Sequence, residues 1–286
     1  MRILITGKSS FIGNYLARHL EKSGGYQVDM LSVRGDEWKK QDFSKYDCIV
    51  HAAGKAHVGY KDEEAAEYMA VNRDLTRAVA EKAKNEGVKQ FIFLSSIIIY
   101  GAAAPAGQTR VITKTTLPDP ENAYGRSKLE AEEALRSIET EDFSVAILRL
   151  PMVYGRGSSG NYSLLAKYAG LLPVFPARSG RRSAIYVENL CEFIRIAADR
   201  GLRGTYYPAD AESVTTPGML RAIRGAMGKR TRLWRIFDLP VRLLAGTPVV
   251  SRIFGGIEYA RELTDTDIDY RLYTLEEGVG RSIKEA

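Results

Sequence analysis

Residues 2–13 read Arg-Ile-Leu-Ile-Thr-Gly-Lys-Ser-Ser-Phe-Ile-Gly, an apolar run followed by a short polar turn between two glycines. The run 2–6 predicts a buried strand, and the apolar spacing over 11–22 predicts a helix. This order suits the pyrophosphate of a dinucleotide, because glycine lets the backbone approach closely and a helix N-terminus supplies N–H donors. A purely structural turn is the alternative. We predict that the dinucleotide contacts Gly7, Ser9, Ser10, Phe11, Ile12 and Gly13, with Ser10 standing where such loops carry their middle glycine.

The alternation of strand and helix patterns continues to about Pro151. It predicts strands over 28–33, 48–52, 91–95 and 145–150, and helices over 63–87 and 123–137. Such an alternation is typical of a parallel sheet with helices on both faces, so we predict a doubly wound α/β fold. The predicted domains are a dinucleotide-binding domain, 1–151, and a smaller substrate lobe, 152–286; the alternative is that the chain returns to the first domain near 183–208.

The second half is less regular. A helix is predicted over 188–200, a short strand over 205–208 and a basic helix over 219–235. The apolar segment 239–254 predicts core packing or a dimer contact, with a membrane surface as the alternative, since Arg242 and Arg252 flank apolar residues.

Composition excludes a disordered chain, a collagen-like repeat and a disulfide scaffold. The chain has 286 residues, of which 45% are hydrophobic and 27% charged, the balance of a globule with a core. Its cysteines, Cys48 and Cys191, are too few for a disulfide framework or a cysteine zinc site, and no histidine–carboxylate spacing indicates a metal. We expect a cytoplasmic protein without stable membrane insertion. The net charge of +6 points to an anionic partner: nucleic acid, a membrane surface or a phosphorylated small molecule.

The end of the second strand distinguishes the dinucleotides. An acidic residue there binds the 2′-hydroxyl of NAD, whereas a small residue with a nearby arginine suits the 2′-phosphate of NADP. Ser32 takes the place of the acid and Arg34 follows, which favours NADP over NAD unless Arg34 is a solvated loop residue. Asp42, with Phe43, is predicted to contact the adenine amino group.

Tyr124 and Lys128 are four residues apart, which places both side chains on one face of the predicted helix. A nearby ammonium favours the phenolate, so we expect Lys128 to lower the pKa of Tyr124 and make it a usable acid or base. Ser96 ends an apolar strand and is expected to donate a hydrogen bond to a substrate oxygen, although Ser95 and Ser96 can also simply cap the strand.

The ordered motifs resemble the extended short-chain dehydrogenase/reductases, the NAD-dependent epimerase/dehydratase family of nucleotide-sugar enzymes. They are Thr6-Gly7 to Gly13, Asp42, His51 to Gly54, Asn72, Ser95-Ser96 to Tyr100-Gly101, Tyr124 with Lys128, Leu148-Arg149 to Gly155, and Arg182 to Leu190. The resemblance implies that Tyr124 is the acid/base, that Lys128 binds the nicotinamide ribose and that Ser96 binds the sugar oxygen. Asn72 would support the active-site helix. Further cofactor contacts implied are Ala52, Ala53, Gly54, Asn72, Ser95 and Pro151.

Ile97 and Ile98 stand where the family's dehydratases carry an Asp-Glu pair, and apolar side chains cannot relay protons, so a dehydratase reaction is disfavoured. This leaves hydride transfer at C4 of a UDP-sugar, by a 4-keto reductase or a 4-epimerase. Ser32 and Arg34 favour the reductase. The strings 51–58, 95–97 and 180–183 also resemble bacterial UDP-N-acetyl-hexosulose 4-reductases of surface-polysaccharide pathways, and Met152 replaces an Asn of many UDP-galactose-type epimerases. We therefore place the reductase slightly ahead.

Candidate substrate contacts are Ser96, Ile97 and Tyr124 on the sugar, and Gly157, Asn161 and Arg182 on the nucleotide, since a diphosphate needs N–H donors and a guanidinium. His51 is expected to support the cofactor, and His57 is assigned only to a loop. A non-enzymatic NADP-binding protein is a remote alternative, as is RNA binding through the basic residues of 221–235, so we expect no nucleic-acid partner. A homodimer is what the family implies.

Overall fold

The computed structural model describes residues 1–55, 64–172 and 174–284, apart from the side chains of 248 and 249. The chain forms two compact units. Unit 1 comprises Met1–Gly101, Leu117–Leu150 and Cys191–Tyr207, and unit 2 comprises Ala102–Thr116, Pro151–Leu190 and Pro208–Ala286. The segment 102–116 belongs to unit 2 although it precedes residue 151, and the segment 191–207 of unit 1 lies within 183–208, the range predicted as the alternative return of the chain to the first domain.

Strands and helices alternate along most of the chain. The strands are β1 (Arg2–Thr6), β2 (Gln27–Leu31), β3 (Cys48–His51), β4 (Gln90–Ser96), β5 (Thr109–Ile112), β6 (Ser144–Leu150), β7 (Met152–Tyr154), β8 (Val174–Phe175), β9 (Arg181–Arg182), β10 (Ala184–Tyr186), β11 (Gly204–Tyr206), β12 (Val214–Thr215), β13 (Arg232–Leu233) and β14 (Gly256–Tyr259). The α-helices are α1 (Phe11–Ser23), α2 (Ala65–Tyr68), α3 (Leu75–Asn85), α4 (Ala123–Ile138), α5 (Asn161–Leu171), α6 (Val187–Asp199), α7 (Thr216–Ala226), α8 (Asp238–Leu243), α9 (Pro248–Phe254), α10 (Arg261–Thr264) and α11 (Leu275–Lys284). A π-helical segment, Met69–Asp74, joins α2 to α3, and 3₁₀ turns occur at Glu37–Lys40, Ile97–Tyr100 and Arg235–Phe237.

Unit 1 is built on a parallel sheet. In the part of the chain that the structure describes, this sheet has six strands in the order β2-β1-β3-β4-β6-β11, with every neighbouring pair parallel. The order reverses direction between β1 and β3, and ligands of such sheets bind beyond the carboxyl ends of the strands at this switch point. The predicted doubly wound α/β fold is confirmed.

The turn between β1 and α1 lies close to the chain that leaves β3. Gly7 has φ +88°, and a Cβ added to it would lie 2.8 Å from the backbone nitrogen of Ala53. Its N–H donates to the carbonyl of Leu31 and its carbonyl accepts from Ser10. Ser10 then begins α1, since its Oγ accepts the N–H of Gly13 at 3.1 Å. Glycine at position 7 therefore allows both the turn and the close approach of two backbones.

Unit 2 contains short strand pairs. β7 pairs in parallel with β10, β5 with β14 and β8 with β13, while β9 and β12 are antiparallel. The carboxylate of Asp210 lies among these elements and accepts hydrogen bonds from the Tyr154 hydroxyl, the Tyr186 N–H and the Asn189 amide. Burial raises the pKa of Asp210, while these hydrogen bonds oppose the rise.

The second half departs from the sequence prediction in two places. The helix predicted over 219–235 is wrong beyond Ala226, where a turn with Gly228 at φ +69° ends α7 and leads into β13. The apolar segment 239–254 forms two helices, α8 and α9, because Gly246 and Pro248 interrupt the helical pattern. Among the described residues, no helix combines the length and apolar character needed to cross a bilayer.

Replacement of Gly7 by alanine tests the tight turn. We expect Gly7→Ala to lower the free energy of unfolding by about 2–4 kcal/mol, because it adds a clash with Ala53 to the cost of a positive φ. The matched control is Gly87→Ala. Gly87 has φ +82° with open space around an added Cβ, so this substitution should lower the free energy of unfolding by about 1 kcal/mol. Urea unfolding of both variants measures the difference, and equal losses would contradict the close approach.

Candidate functional site

Helix α4 positions the predicted tyrosine and lysine. The Asn122 side chain caps the helix by accepting the N–H of Gly125 at 2.8 Å. A Cβ on Gly125 would lie 2.9 Å from Cβ of Pro120 and 3.0 Å from the carbonyl oxygen of Ile98, so the helix begins in close contact with the chain that follows β4. Tyr124, the second residue of α4, is half-buried and hydrogen-bonded to Ser96 at the carboxyl end of β4. The structure thus brings Ser96 and Tyr124 together.

The pKa of Tyr124 is raised, mainly by burial, and the hydrogen bond with Ser96 opposes this rise. The expected lowering of this pKa by Lys128 is not observed, so that prediction was wrong. The reason is the position of the ammonium: Nζ of Lys128 donates to the carbonyl of Leu94 at 2.9 Å and lies 4.6 Å from the ring centroid of Phe93. Tyr124 is therefore a protonated phenol at neutral pH.

Lys128 is itself buried, and this burial lowers the pKa of its ammonium to about 8, against the opposing charge of Glu132. A buried lysine that is held by one carbonyl and one aromatic face loses much of its hydration, which disfavours the charged form. At neutral pH the ammonium form still predominates. Lys128 can consequently act as a fixed positive charge on the same helix as Tyr124.

Glu132 lies one turn beyond Lys128 and is fully buried. Its carboxylate accepts from the Ser95 hydroxyl at 2.5 Å, from Arg149 at 2.7 Å and from Arg136 at 2.8 Å. The Arg149 guanidinium also donates to Tyr100 at 2.6 Å. Ser95 and Arg149 are register partners in β4 and β6, so this carboxylate ties α4 to two adjacent strands. Sequence reasoning missed Glu132, although a charged Arg149 inside an apolar strand signals a buried partner.

Ser95 and Ser96 face opposite sides of β4, as successive strand residues must. The Ser95 hydroxyl is buried and donates to Glu132, so its side chain faces the protein core, away from the surface that Ser96 shares with Tyr124. Only the backbone of Ser95 is left for the predicted cofactor contact. Ile97, also predicted to contact substrate, begins the 3₁₀ turn after Ser96 and is partly exposed.

Asn72 supports α4 from the π-helical segment. It is fully buried, and its amide donates to the Lys55 carbonyl and the Ser127 hydroxyl, both at 3.1 Å, while its oxygen accepts the Lys55 N–H at 2.8 Å. Ser127 in turn donates to the carbonyl of Tyr124 at 2.8 Å. A π-helical turn is rare and often occurs where a side chain must be re-aimed at a functional site. The geometry agrees with the supporting role that the resemblance implied.

The predicted cofactor residues meet at the switch point of the sheet. Ser9 is exposed in the turn before the helix, and Phe11 and Ile12 are partly exposed. The N–H groups of Phe11 and Ile12 belong to the first turn of α1, which carries no acidic residue. Ala52 and Ala53 leave β3 beside Gly7. A Cβ on Gly54 would lie 3.1 Å from the Asn72 oxygen and 3.5 Å from Nζ of Lys128. A glycine cradle, a helix N-terminus and a nearby ammonium fit the charge and flat shape of a dinucleotide.

The residues predicted to select the dinucleotide follow β2, beside the turn at Gly7, whose N–H donates to the Leu31 carbonyl. β2 ends at Leu31, so exposed Ser32 and Arg34 follow the strand, and the Ser32 hydroxyl accepts the Arg34 N–H at 3.4 Å. Asp42 is exposed, and hydrogen bonds from Ser44 lower its pKa. The ring of Phe43 is fully buried in the core, and its N–H donates to Glu86. Its side chain is therefore not accessible for the predicted contact with adenine.

His51 is a neutral structural histidine. The Thr76 hydroxyl donates to the carbonyl of Asn72, so it accepts from Nε2 of His51, and Nδ1 then accepts from Thr6. Burial lowers the pKa of His51 to about 3. His57 lies outside the described residues. Within those residues, no cluster of histidine, cysteine or carboxylate side chains has the geometry of a metal site.

Unit 2 contains the other predicted substrate residues. Arg182 is buried, which lowers its pKa to about 10, and its Nη2 donates to the carbonyls of Arg252, Ile253 and Gly255. Asn161 accepts from Nε of Arg252 at 3.0 Å, so Asn161 and Arg182 converge on the same segment. Gly157 is exposed with φ +82° and is not joined to them by a hydrogen bond within the described chain. Pro151, a predicted cofactor contact, is buried after β6.

The pKa of Lys128 predicts a pH dependence of stability. The folded-state pKa is about 8 and the ordinary value is 10.5, so the unfolded chain binds more protons between these values. The free energy of unfolding of the wild type should therefore rise with pH in this window, relative to Lys128→Met, by about 3 kcal/mol at most. Urea unfolding between the two pH values measures the change. The exposed control Lys39→Met should follow the wild type, and parallel curves for wild type and Lys128→Met would contradict the assignment.

Comparison with known proteins gives one family. Residues 3–207 match the model of the NAD dependent epimerase/dehydratase family. A UDP-glucose 4-epimerase of Vibrio cholerae is 28% identical, covering 96% of this chain and 89% of the relative. The N-acetyl-alpha-D-glucosaminyl-diphospho-ditrans,octacis-undecaprenol 4-epimerase of Escherichia coli O157:H7 is 29% identical, covering 88% of this chain and 81% of the relative.

Among solved structures, the human epimerase family protein SDR39U1 with NADPH superposes with a TM-score of 0.80 at 17% identity, covering 100% of both chains. At this identity the superposition establishes the fold. The family match covers more than half of the chain and confirms the resemblance predicted from the motifs. The chain belongs to the NAD dependent epimerase/dehydratase family.

Proposed function

We propose that this chain is an NAD(P)-dependent oxidoreductase that transfers a hydride at C4 of a UDP-(N-acetyl)hexose, acting as a 4-keto reductase in surface-polysaccharide sugar synthesis. The observation that carries the proposal is the hydrogen bond between Ser96 and Tyr124, with Lys128 one turn further along α4. These groups provide a proton donor, a second hydroxyl and a fixed positive charge at the carboxyl end of β4. They are the groups that the reduction of a ketone requires.

The protonation states favour the direction of reduction. When bound, reduced nicotinamide supplies the hydride. Tyr124 donates its phenolic proton to the C4 carbonyl oxygen, which becomes the hydroxyl of the product, and Ser96 holds that oxygen by a hydrogen bond. Burial raises the pKa of Tyr124, so the phenol carries the proton that it must give. The Lys128 ammonium, with its pKa near 8, is held by the Leu94 carbonyl and does not lower the pKa of Tyr124, so its proposed role is to bind the cofactor as a positive charge. Solvent then returns the proton to Tyr124.

Residues of unit 1 are proposed to hold the dinucleotide. The N–H groups of Phe11 and Ile12 in the first turn of α1 would bind the pyrophosphate, since they have no acceptor inside the helix. Gly7 and Ala53 would line the same cradle. Arg34 would bind the 2′-phosphate of NADP, and Ser32 leaves room for it. Lys128 would also bind the nicotinamide ribose, as in the family.

Residues of unit 2 are proposed to bind the nucleotide diphosphate of the substrate. Arg182 is the strongest candidate, because it keeps its charge despite burial and its Nε is buried without an acceptor among the described residues. Its Nη2 is held by backbone carbonyls, which fixes the direction of the remaining donors. Asn161 would add an amide, and Gly157 a backbone N–H.

The proton donor is tested by Tyr124→Phe. We expect loss of NADPH oxidation, by about a hundredfold or more, with a UDP-4-keto-6-deoxy-N-acetylhexose as substrate, because the variant keeps the ring and removes the proton. Absorbance at the nicotinamide band measures the rate. Tyr26→Phe is the control, since Tyr26 binds Asp199 on the same unit away from α4, and it should retain activity. Retained turnover in Tyr124→Phe would refute the role of the phenol.

A 4-epimerase is the second candidate, favoured by the names of the Vibrio cholerae and Escherichia coli relatives. It would interconvert UDP-GlcNAc and UDP-GalNAc without added cofactor, whereas the reductase consumes NADPH. The Escherichia coli relative is named for a sugar on undecaprenyl diphosphate, so the same assay should include a polyprenyl-diphosphate-linked GlcNAc. Interconversion of either substrate without NADPH consumption would favour the epimerase over the reductase.

The preference for NADP is tested by Arg34→Ala. Loss of a charge-assisted contact with the 2′-phosphate should weaken NADPH binding about tenfold and leave NADH binding unchanged. Lys40→Ala is the control for loss of a nearby exposed positive charge. Fluorescence titration with both cofactors gives the ratio of affinities. If Arg34→Ala weakened the binding of NADPH and of NADH equally, the proposed preference for NADP would be refuted.

A further inference from the structure

Unit 2 exposes a set of large apolar side chains that its own core does not cover. We call it the apolar patch; it consists of Leu171, Trp234, Ile236, Phe237, Leu239 and Leu243. The exposed fractions reach 68% for Leu171, 72% for Ile236 and 77% for Leu243. Single exposed apolar residues are ordinary, but contiguous groups of them mark interaction surfaces.

The backbone brings the members of the patch together. β13 pairs with β8, and the N–H of Trp234 donates to the carbonyl of Phe175, so the segment that begins at Trp234 continues from a strand beside 174–175. The end of α5 lies against the same region, because Lys229 donates to the carbonyl of Gly170 at 3.0 Å. These contacts place the end of α5, the 3₁₀ turn at 235–237 and the start of α8 in the same part of unit 2.

Both helices turn apolar faces outward. In α5, Leu165 and Ala169 are buried, while Leu164, Tyr168 and Leu171, at spacings of four and three, are exposed on another face. In α8, Val241 is buried while Leu239 and Leu243 are exposed. The rings of Trp234 and Phe237 stack with centroids 6.1 Å apart at the edge of this surface. Exposed leucines beside a tryptophan are typical of segments that lie in the interfacial region of a bilayer.

The charges around the patch are almost all positive. From residue 229 to residue 244 the exposed basic side chains are Lys229, Arg230, Arg232, Arg235 and Arg242, and Asp238 is the acidic residue of this stretch. Its carboxylate accepts the backbone N–H groups of Ala177 at 2.7 Å and Arg178 at 2.9 Å, so it is directed into the fold. The charge that the surface presents is therefore cationic.

We propose that the apolar patch docks on a bilayer that contains anionic lipids. The apolar side chains would enter the headgroup region, and the surrounding arginines would bind lipid phosphates. A second copy of this chain fits less well, since a two-fold contact would bring the basic side chains of both copies together. Attachment of this kind would hold the enzyme at a membrane surface while the site in unit 1 remains as described.

The chain contains two tryptophans, and this provides a direct probe. Trp38 is only 3% exposed in unit 1, whereas Trp234 is 49% exposed in the patch. In the Trp38→Phe variant, emission therefore reports Trp234 alone. We expect a blue shift, and quenching by brominated lipid, on vesicles with about 30% phosphatidylglycerol in phosphatidylcholine, and little change on pure phosphatidylcholine. Co-sedimentation of the wild-type protein with the same vesicles gives the partition coefficient without the Trp38 substitution.

Two substitutions separate the apolar contribution to membrane binding from the electrostatic contribution. Leu243→Glu should reduce partitioning about tenfold or more, and so should Arg232→Glu. The control Leu117→Glu changes an 81% exposed leucine of unit 1 and should leave partitioning unchanged. Raising the salt from about 0.05 M to about 0.5 M should weaken binding of the wild type.

The outcomes are distinct. Failure of the wild type to sediment with anionic vesicles overturns the proposal, as does equal binding to neutral vesicles or an equal effect of Leu117→Glu. A dimer in solution that Leu243→Glu dissociates, without vesicle binding, assigns the patch to a second copy and also overturns it. NADPH oxidation with a soluble substrate is measured in parallel on every variant, so a failure of the proposed reaction is seen separately from a failure of docking.

Discussion

The carboxylate of Glu132 is the interaction on which the candidate site depends. It joins α4 to β4 through Ser95 and to β6 through Arg149, in a position with no exposure to solvent. Burial alone would lower the pKa of Arg149, but the hydrogen bond and charge of Glu132 raise it, so the guanidinium stays charged. Removing one partner of such a buried pair typically costs about 3–5 kcal/mol, because the other charge is left uncompensated. Because breaking the pair costs this much free energy, the pair fixes the position of α4 along the sheet.

Because α4 is held in this way, the positions of Tyr124 and Lys128 follow. Asn72 supports the first turn through Ser127, and the Leu94 carbonyl holds the ammonium of Lys128. The reactive groups therefore need little rearrangement to act together, which is the main contribution that a protein makes to a hydride transfer whose chemistry belongs to the cofactor. Tyr124 remains protonated through burial, and this state suits the donation of a proton to a ketone.

Local sequence patterns predict much of unit 1. β1 has the predicted bounds and α1 begins at Phe11, because the apolar run, the glycine turn and the Ser10 cap all act over neighbouring residues. The features that local patterns miss depend on distant residues. The pairing of β5 with β14 joins segments far apart in sequence, and the pKa of Tyr124 is raised mainly by burial, which depends on the packing of the folded chain. The basic residues of 221–235 are visible in the sequence, but their association with exposed apolar side chains is visible only in the structure.

Direct hydride delivery to C4 of a nucleotide sugar, with the proton supplied by the protein, is open to one decisive measurement. It is a single-turnover reaction with NADPH deuterated on one face of C4 of the nicotinamide and a UDP-4-keto-hexose in ordinary water, followed by NMR of the product. We predict that deuterium appears at C4 of the sugar with only one of the two possible labelled faces. A product that carries hydrogen at C4 with both labelled cofactors, or deuterium at another carbon, would contradict direct delivery.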